Sequence, residues 1–120
     1  MSKKNIENLI PSALKVLDEE LSNNTFPKEY NGYISSFGAS VIQSGLDPTL
    51  ALFENKNSTD RYKIIEFIFK TLIKNENINT NEISLLRYYL DSNDKELLKI
   101  KIMNISIAVK LCLRTFKKGD

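Results

Sequence analysis

Residues 38–48 read GASVIQSGLDP, with two serines, Ser35 and Ser36, just ahead of them. Small residues crowd together here in a chain that otherwise reads as amphipathic helix. The fold class turns on whether this is a catalytic turn, a phosphate loop or a corner between helices. A nucleophile elbow needs G-x-S-x-G. The stretch Gly38-Ala39-Ser40-Val41-Ile42 lacks the second glycine, and a chain with no histidine cannot assemble a Ser-His-Asp set. A phosphate-cradling G-x-x-x-x-G-K-[ST] string is also absent. A corner fits. Gly45 is placed to end one helix as a left-handed C′ residue, with Leu46 packing back on Val41. Asp47 is then the next N-cap and Pro48 the first helical residue. Ser36, Gly38, Ala39 and Ser40 keep the preceding helix thin. A glycine inside a helix costs about 1 kcal/mol relative to alanine, so compensation is expected from a close internal helix crossing or, alternatively, from a partner's backbone.

Outward from this corner, apolar residues recur at helical spacing. Ile6, Ile10, Ala13, Leu17 and Leu21 form a stripe over residues 4–22, with Pro11 marking a kink or a helix start. NNTFPKEYN breaks the pattern. A second helix is predicted over 28–44 and a short third through PTLALFE. The fourth spans 59–74, with Tyr62, Ile65, Ile68 and Leu72 inward. Lys63, Glu66, Lys70 and Lys74 face outward, Glu66 and Lys70 as an i,i+4 pair. A polar turn, a fifth helix over 81–91 and a long sixth over 94–117 complete the chain. Strand signals are poor. The prediction is an all-α fold: one domain over residues 1–120, about six helices, the last one long.

Composition removes whole function classes. No run of about 18 apolar residues exists, so no membrane span is expected. The opening MSKKNIENLI lacks the apolar core of a secretory signal. The one cysteine, Cys112, excludes an internal disulfide and fits a reducing, cytoplasmic setting. Flanked by Leu111 and Leu113, it reads as a small buried hydrophobe rather than a reactive thiol. Without histidine and with one cysteine, zinc and copper sites of the usual kind are excluded. Asp18-Glu19-Glu20 reads as a solvated helix face, and no spaced acid pair suggests general acid–base work. No catalytic residue, metal or cofactor is expected.

Charge is uneven. Residues 1–54 carry four lysines against seven acids, a net −3; the remaining 66 carry 13 bases against eight acids, a net +5. Placed at 100° steps, Lys95, Lys99, Ser106, Lys110, Arg114 and Lys117 share one side of the last helix, with Met103 the one apolar member. The row is about 33 Å long at 1.5 Å per residue. It suits a phosphate backbone, read without sequence preference and with strong salt dependence. It reads equally as a solvated face on a helix whose other sides, Leu97, Ile100, Ile107 and Leu111 included, are buried. Lys56, Arg61 and Lys63 form a weaker basic group at a helix start, where cations oppose the helix dipole.

IPSALKVLDEEL near the start, EYNGYISSFGASVIQSGLDPTLALFENK in the middle and AVKLCLRTFKK at the end resemble the small subunit of the type III-B CRISPR effector, the Cmr complex. The resemblance implies a non-catalytic helical piece of an RNA-guided, RNA-cleaving assembly. Several copies stack beside the other Cmr subunits, with basic faces along guide RNA and target RNA. On that analogy Lys99, Lys110, Arg114, Lys117 and Lys118, with Lys56 and Arg61 nearby, contact phosphate. The small-residue corner packs internally or against the next copy. The alternative is a helical module that binds only protein.

Overall fold

The computed structural model describes residues 3–57 and 59–119. It holds six helices: α1 (Lys3–Glu20), α2 (Glu29–Ser44), α3 (Leu46–Glu54), α4 (Tyr62–Glu76), α5 (Leu85–Leu90) and α6 (Lys95–Leu113). A 3-10 turn, Ser22–Asn24, and two short strands, β1 (Thr25–Phe26) and β2 (Lys117–Lys118), complete it. The all-α class and the long last helix are as the sequence predicts.

The core follows from α4. Ile64, Ile65, Phe67, Ile68, Phe69, Thr71 and Leu72 are all buried. That set covers far more than the single stripe of a surface helix, so α4 needs neighbours on most sides. α1 and α6 pack on it and on each other, and α3 closes another side. From α1, Ala13, Val16 and Leu17 enter the core; from α6, Ile102, Ile105, Ala108, Val109 and Leu113 do. An edge-to-face pair, Phe37 against Phe53 at 5.5 Å, joins α2 to α3. The radius of gyration is 13.5 Å, close to the roughly 13.6 Å of a compact chain this long. α1 continues on both sides of Pro11, so this proline does not start the helix, and it lies on the exposed face.

Four elements differ from the sequence reading, one of them α4, which runs from Tyr62 to Glu76 rather than over 59–74. The last helix ends at Leu113 rather than 117. Lys117 and Lys118 leave it to pair in parallel with Thr25 and Phe26, and the Gly119 amide donates to the Phe26 carbonyl at 2.7 Å. The fifth helix is shortened at its start, because side chains take the backbone donors there. Glu82 accepts from the Ile83 and Ser84 amides, and Glu54 accepts from the Leu86 amide and the Ser84 hydroxyl. The first helix ends at Glu20, ahead of left-handed Asn23 and Asn24.

The corner at Gly45 exists in a tighter form. Gly45 is the last cap of α2 and the first cap of α3 at once, with φ 93° and ψ 165°. Its amide donates to the Val41 carbonyl at 2.9 Å. Its own carbonyl accepts from the Thr49 hydroxyl at 2.8 Å. Asp47 and Pro48 therefore lie inside the first turn of α3 rather than at its cap and first position. Ser40 completes the corner. Its hydroxyl lies 2.8 Å from that of Thr49, and since Thr49 donates to Gly45, Ser40 donates to Thr49. The close internal crossing expected at Gly38 is not there: a Cβ added to it meets no heavy atom within 4 Å. Ser36 and Ala39 are exposed beside it.

The two glycines accordingly respond to alanine with opposite signs. Gly38→Ala, in open helix, stabilises by about 0.5–1 kcal/mol. Gly45→Ala, at a positive φ that side chains rarely adopt, destabilises by about 1–3 kcal/mol. Urea unfolding of the two variants reads both shifts; equal signs contradict this description of the corner.

Candidate nucleic-acid interface

α6 carries the sharpest charge pattern, and its ends are built conventionally. The Asp94 carboxylate accepts from the Leu97 amide at 3.1 Å as N-cap. Glu96 sits in the first turn and Lys110 in the last, both in favour with the helix dipole. Between the ends, the helix is turned differently from the sequence reading. Leu97, Ile100 and Leu111 are 48%, 52% and 42% exposed, while polar Asn104 and Ser106 are buried. Apolar side chains circle almost the whole helix, so periodicity alone does not say which arc α1 and α4 cover. With Ser106 donating inward to the Met103 carbonyl at 2.7 Å, the basic row is broken at its middle. The outer arc is mixed: exposed Arg114 and half-buried Lys99 and Lys110 alternate with exposed Ile100 and Leu111 and half-buried Met103 and Ile107. With the helix ending early, the row from Lys95 to Arg114 is about 28 Å long. Lys117 and Lys118 are exposed on β2, off the helix.

The lysines divide by partner. On α4, Lys70 reaches Glu20 of α1 at 2.8 Å, Lys74 reaches Glu19 at 3.5 Å, and Lys63 pairs with Glu66 at 3.5 Å. The expected Glu66–Lys70 pair is thus replaced: Glu66 pairs with Lys63 on the same helix, and Lys70 bridges to α1. The acidic run on α1 is correspondingly more than a solvated face, since two of its members tie α1 to α4. On α6, Lys101 pairs with Glu76 at 3.0 Å. Among the described residues, Lys99, Lys110 and Arg114 form no ion pair.

The second basic group is organised around rings. Lys56 Nζ lies 4.9 Å from the Tyr62 ring centre and Lys63 Nζ 5.6 Å from it; the Arg61 guanidinium lies 5.4 Å from the Phe53 ring. Such contacts contribute about 0.5–1 kcal/mol at exposed sites, which gives these cations a local use at a helix start. Arg61 Nε also donates to the Thr59 hydroxyl at 3.1 Å. Burial, and after it the Asp60 carboxylate, pushes the Tyr30 phenol up from 10.0 to about 12, so an anion sits within this basic corner. Among the described residues no hydrogen bond, ion pair or ring contact links Lys56 or Arg61 to the α6 row.

The two nucleophiles taken up in the sequence reading, Ser40 and Cys112, are tied down. The Ser40 hydroxyl is engaged with Thr49. Cys112 is buried with its Sγ 3.8 Å from the Ile10 carbonyl, and burial, with Asp18 behind it, pushes its thiol up. Among the described residues no group of three metal-binding side chains converges, and no helix is long and apolar enough to cross a membrane.

A family described as CRISPR-associated protein (Cas_Cmr5) matches residues 4–109. No curated protein and no solved structure matches the chain. The family match stops one residue short of Lys110, so Lys110, Arg114, Lys117 and Lys118 stand outside it.

The shift at Tyr30 sets an alkaline limit on stability. Above pH 10.0 an unfolded tyrosine releases its proton, whereas Tyr30 in the fold keeps it to about 12. The unfolded state then binds fewer protons, so stability falls as pH rises through that window. Urea midpoints on either side of pH 10 should show the fall, and Tyr30→Phe should make it shallower. An unchanged slope in that variant contradicts the assignment.

Proposed function

The chain belongs to the Cas_Cmr5 family and is a small Cmr subunit of the type III-B class, and on that premise we propose that it is a non-catalytic piece lying along the RNA of the effector. Its partners are other Cmr subunits. Further copies of itself stack beside it in the cytoplasm, and guide RNA and target RNA are met through their phosphates, without sequence preference. The observation that carries this reading is the division of the lysines. Those of α4 are each matched with a carboxylate, whereas Lys99, Lys110 and Arg114 on the outer arc of α6 have none among the described residues. Unmatched cations in a row, Arg114 exposed and Lys99 and Lys110 half-buried, suit a polyanion. Lys117 and Lys118 extend the same end on β2, and Lys56 and Arg61 are peripheral. The exposed small-residue side of α2, Ser36, Gly38 and Ala39, leaves room for the next copy, while Ser40 and Gly45 serve the corner internally.

A second reading is a module that binds protein alone, and the exposed Leu97, Ile100 and Leu111 favour it. The two separate cleanly. The triple variant Lys99→Gln, Lys110→Gln, Arg114→Gln should keep its helicity and its place in the complex while target RNA binding weakens. Its log affinity against log salt should be shallower by about 2–3, one unit or slightly less for each phosphate no longer neutralised. Unchanged RNA affinity and salt slope in an intact assembly would sink the phosphate role and leave the protein-only reading.

A further inference from the structure

Of the four glycines in the chain, Gly32 alone follows an asparagine, and the pair Asn31-Gly32 falls in the first turn of α2. Such a pair is open to a reaction of the chain with itself. Glycine has no Cβ to shield its own amide nitrogen, so that nitrogen can reach the side-chain Cγ of the asparagine before it. Here both partners are accessible. Asn31 and Gly32 are exposed, and a Cβ added to Gly32 would meet no heavy atom within 4 Å. The Asn31 carboxamide has no hydrogen-bond partner among the described residues.

The helix is the brake. Lys28 is the N-cap of α2, so the Gly32 amide donates the first i→i−4 bond of the helix, to the Lys28 carbonyl. At a helical ψ of about −42°, the Gly32 nitrogen faces along the helix and away from Asn31 Cγ. Reaction needs this outermost bond to break and the Asn31 ψ to turn. Helix ends open before helix middles, and no side chain caps this one. Two rings pin it instead. Tyr30, 5% exposed, lies edge-on to Phe67 of α4 at 5.8 Å, and Tyr33 lies 6.1 Å from Tyr30. Burial, and after it the Asp60 carboxylate, raises both phenols, which sets one anion against the two rings.

We propose that Asn31 is a self-modification site, converted at a rate set by fraying of this turn against the Tyr30–Tyr33 pin. The Gly32 nitrogen bonds to Asn31 Cγ, and the carboxamide nitrogen leaves as ammonia, carrying the proton that the Gly32 amide gives up. Water then adds to either carbonyl of the resulting succinimide and a ring C–N bond breaks, leaving aspartate or isoaspartate. Isoaspartate routes the backbone through an extra methylene, so the Gly32–Lys28 bond is lost and Tyr30 is drawn from its seat beside Phe67. None of this depends on the reading of the chain as an RNA-bound subunit.

The test is incubation of the full chain at mildly alkaline pH, with the peptide containing Asn31 followed by mass spectrometry. Asn31 should gain the mass of an amide turned acid, and an isoaspartyl methyltransferase should label the product. Gly32→Ala, which fits the open space and the helix, should lose both signals on the same time scale. The folded chain should convert roughly ten- to a hundredfold more slowly than the urea-unfolded chain, the cost of opening a helix end. Below the unfolding transition the rate should hardly rise with urea, because fraying exposes little surface. Tyr33→Ala removes one pinning ring and should speed conversion about three- to tenfold. The proposal is overturned by an Asn31 that stays intact in the folded chain while the unfolded chain converts, or by signals that survive in Gly32→Ala. A rate that climbs with urea as steeply as global unfolding, or one unchanged in Tyr33→Ala, overturns it as well.

Discussion

The packing of α1 on α6 is the contact on which the rest of the molecule depends. It brings together segments about a hundred residues apart in sequence, Ile10 lying under Cys112. It also creates the trough in which α4 is buried. Ala13 and Ala108, both fully buried, keep that interior thin enough for the helices to close. The ends are then fastened by the two-residue pairing of β1 with β2 and by the Gly119–Phe26 hydrogen bond. Lys70–Glu20 and Lys74–Glu19 bind α1 to α4 at the rim. Once α6 has given one side to this core, only its outer arc remains for a partner.

The helical class was legible because burial in this chain has helical period. The stripe Ala13–Leu17 and the block Ile64–Leu72 leave little room for another reading. The Gly45 corner was legible as a stop and restart, although Thr49, rather than Asp47, closes it. What escaped has physical causes. A pairing of two residues per strand is too short to leave an alternation in sequence, so Lys117 read as the end of the helix. The carboxylates of Glu54 and Glu82 compete for amide donors at the start of α5, which no apolar pattern reports. α6 is apolar nearly all round, so its exposed side was set by tertiary packing rather than by sequence. The Asn104 side-chain oxygen, buried without a hydrogen-bond partner among the described residues, is visible only once three helices are placed around it.

The outer arc of α6 thus has two chemistries side by side. Lys99, Lys110 and Arg114 are charged and unmatched, while Leu97 and Ile100 are apolar and exposed. The proposed function assigns the first of these to RNA phosphate and the second to protein. The family match covers the body of the fold and stops at the final turn of α6, so the charged end of the helix is read from its own residues.

The most direct measurement is recovery of the tagged chain from its native cells, with the associated proteins identified and the associated RNA sequenced. The expected result is a multi-subunit complex containing Cmr proteins and short guide RNAs. Protein partners without RNA enrichment would contradict the RNA-bound account and leave the cations of α6 as a solvated face.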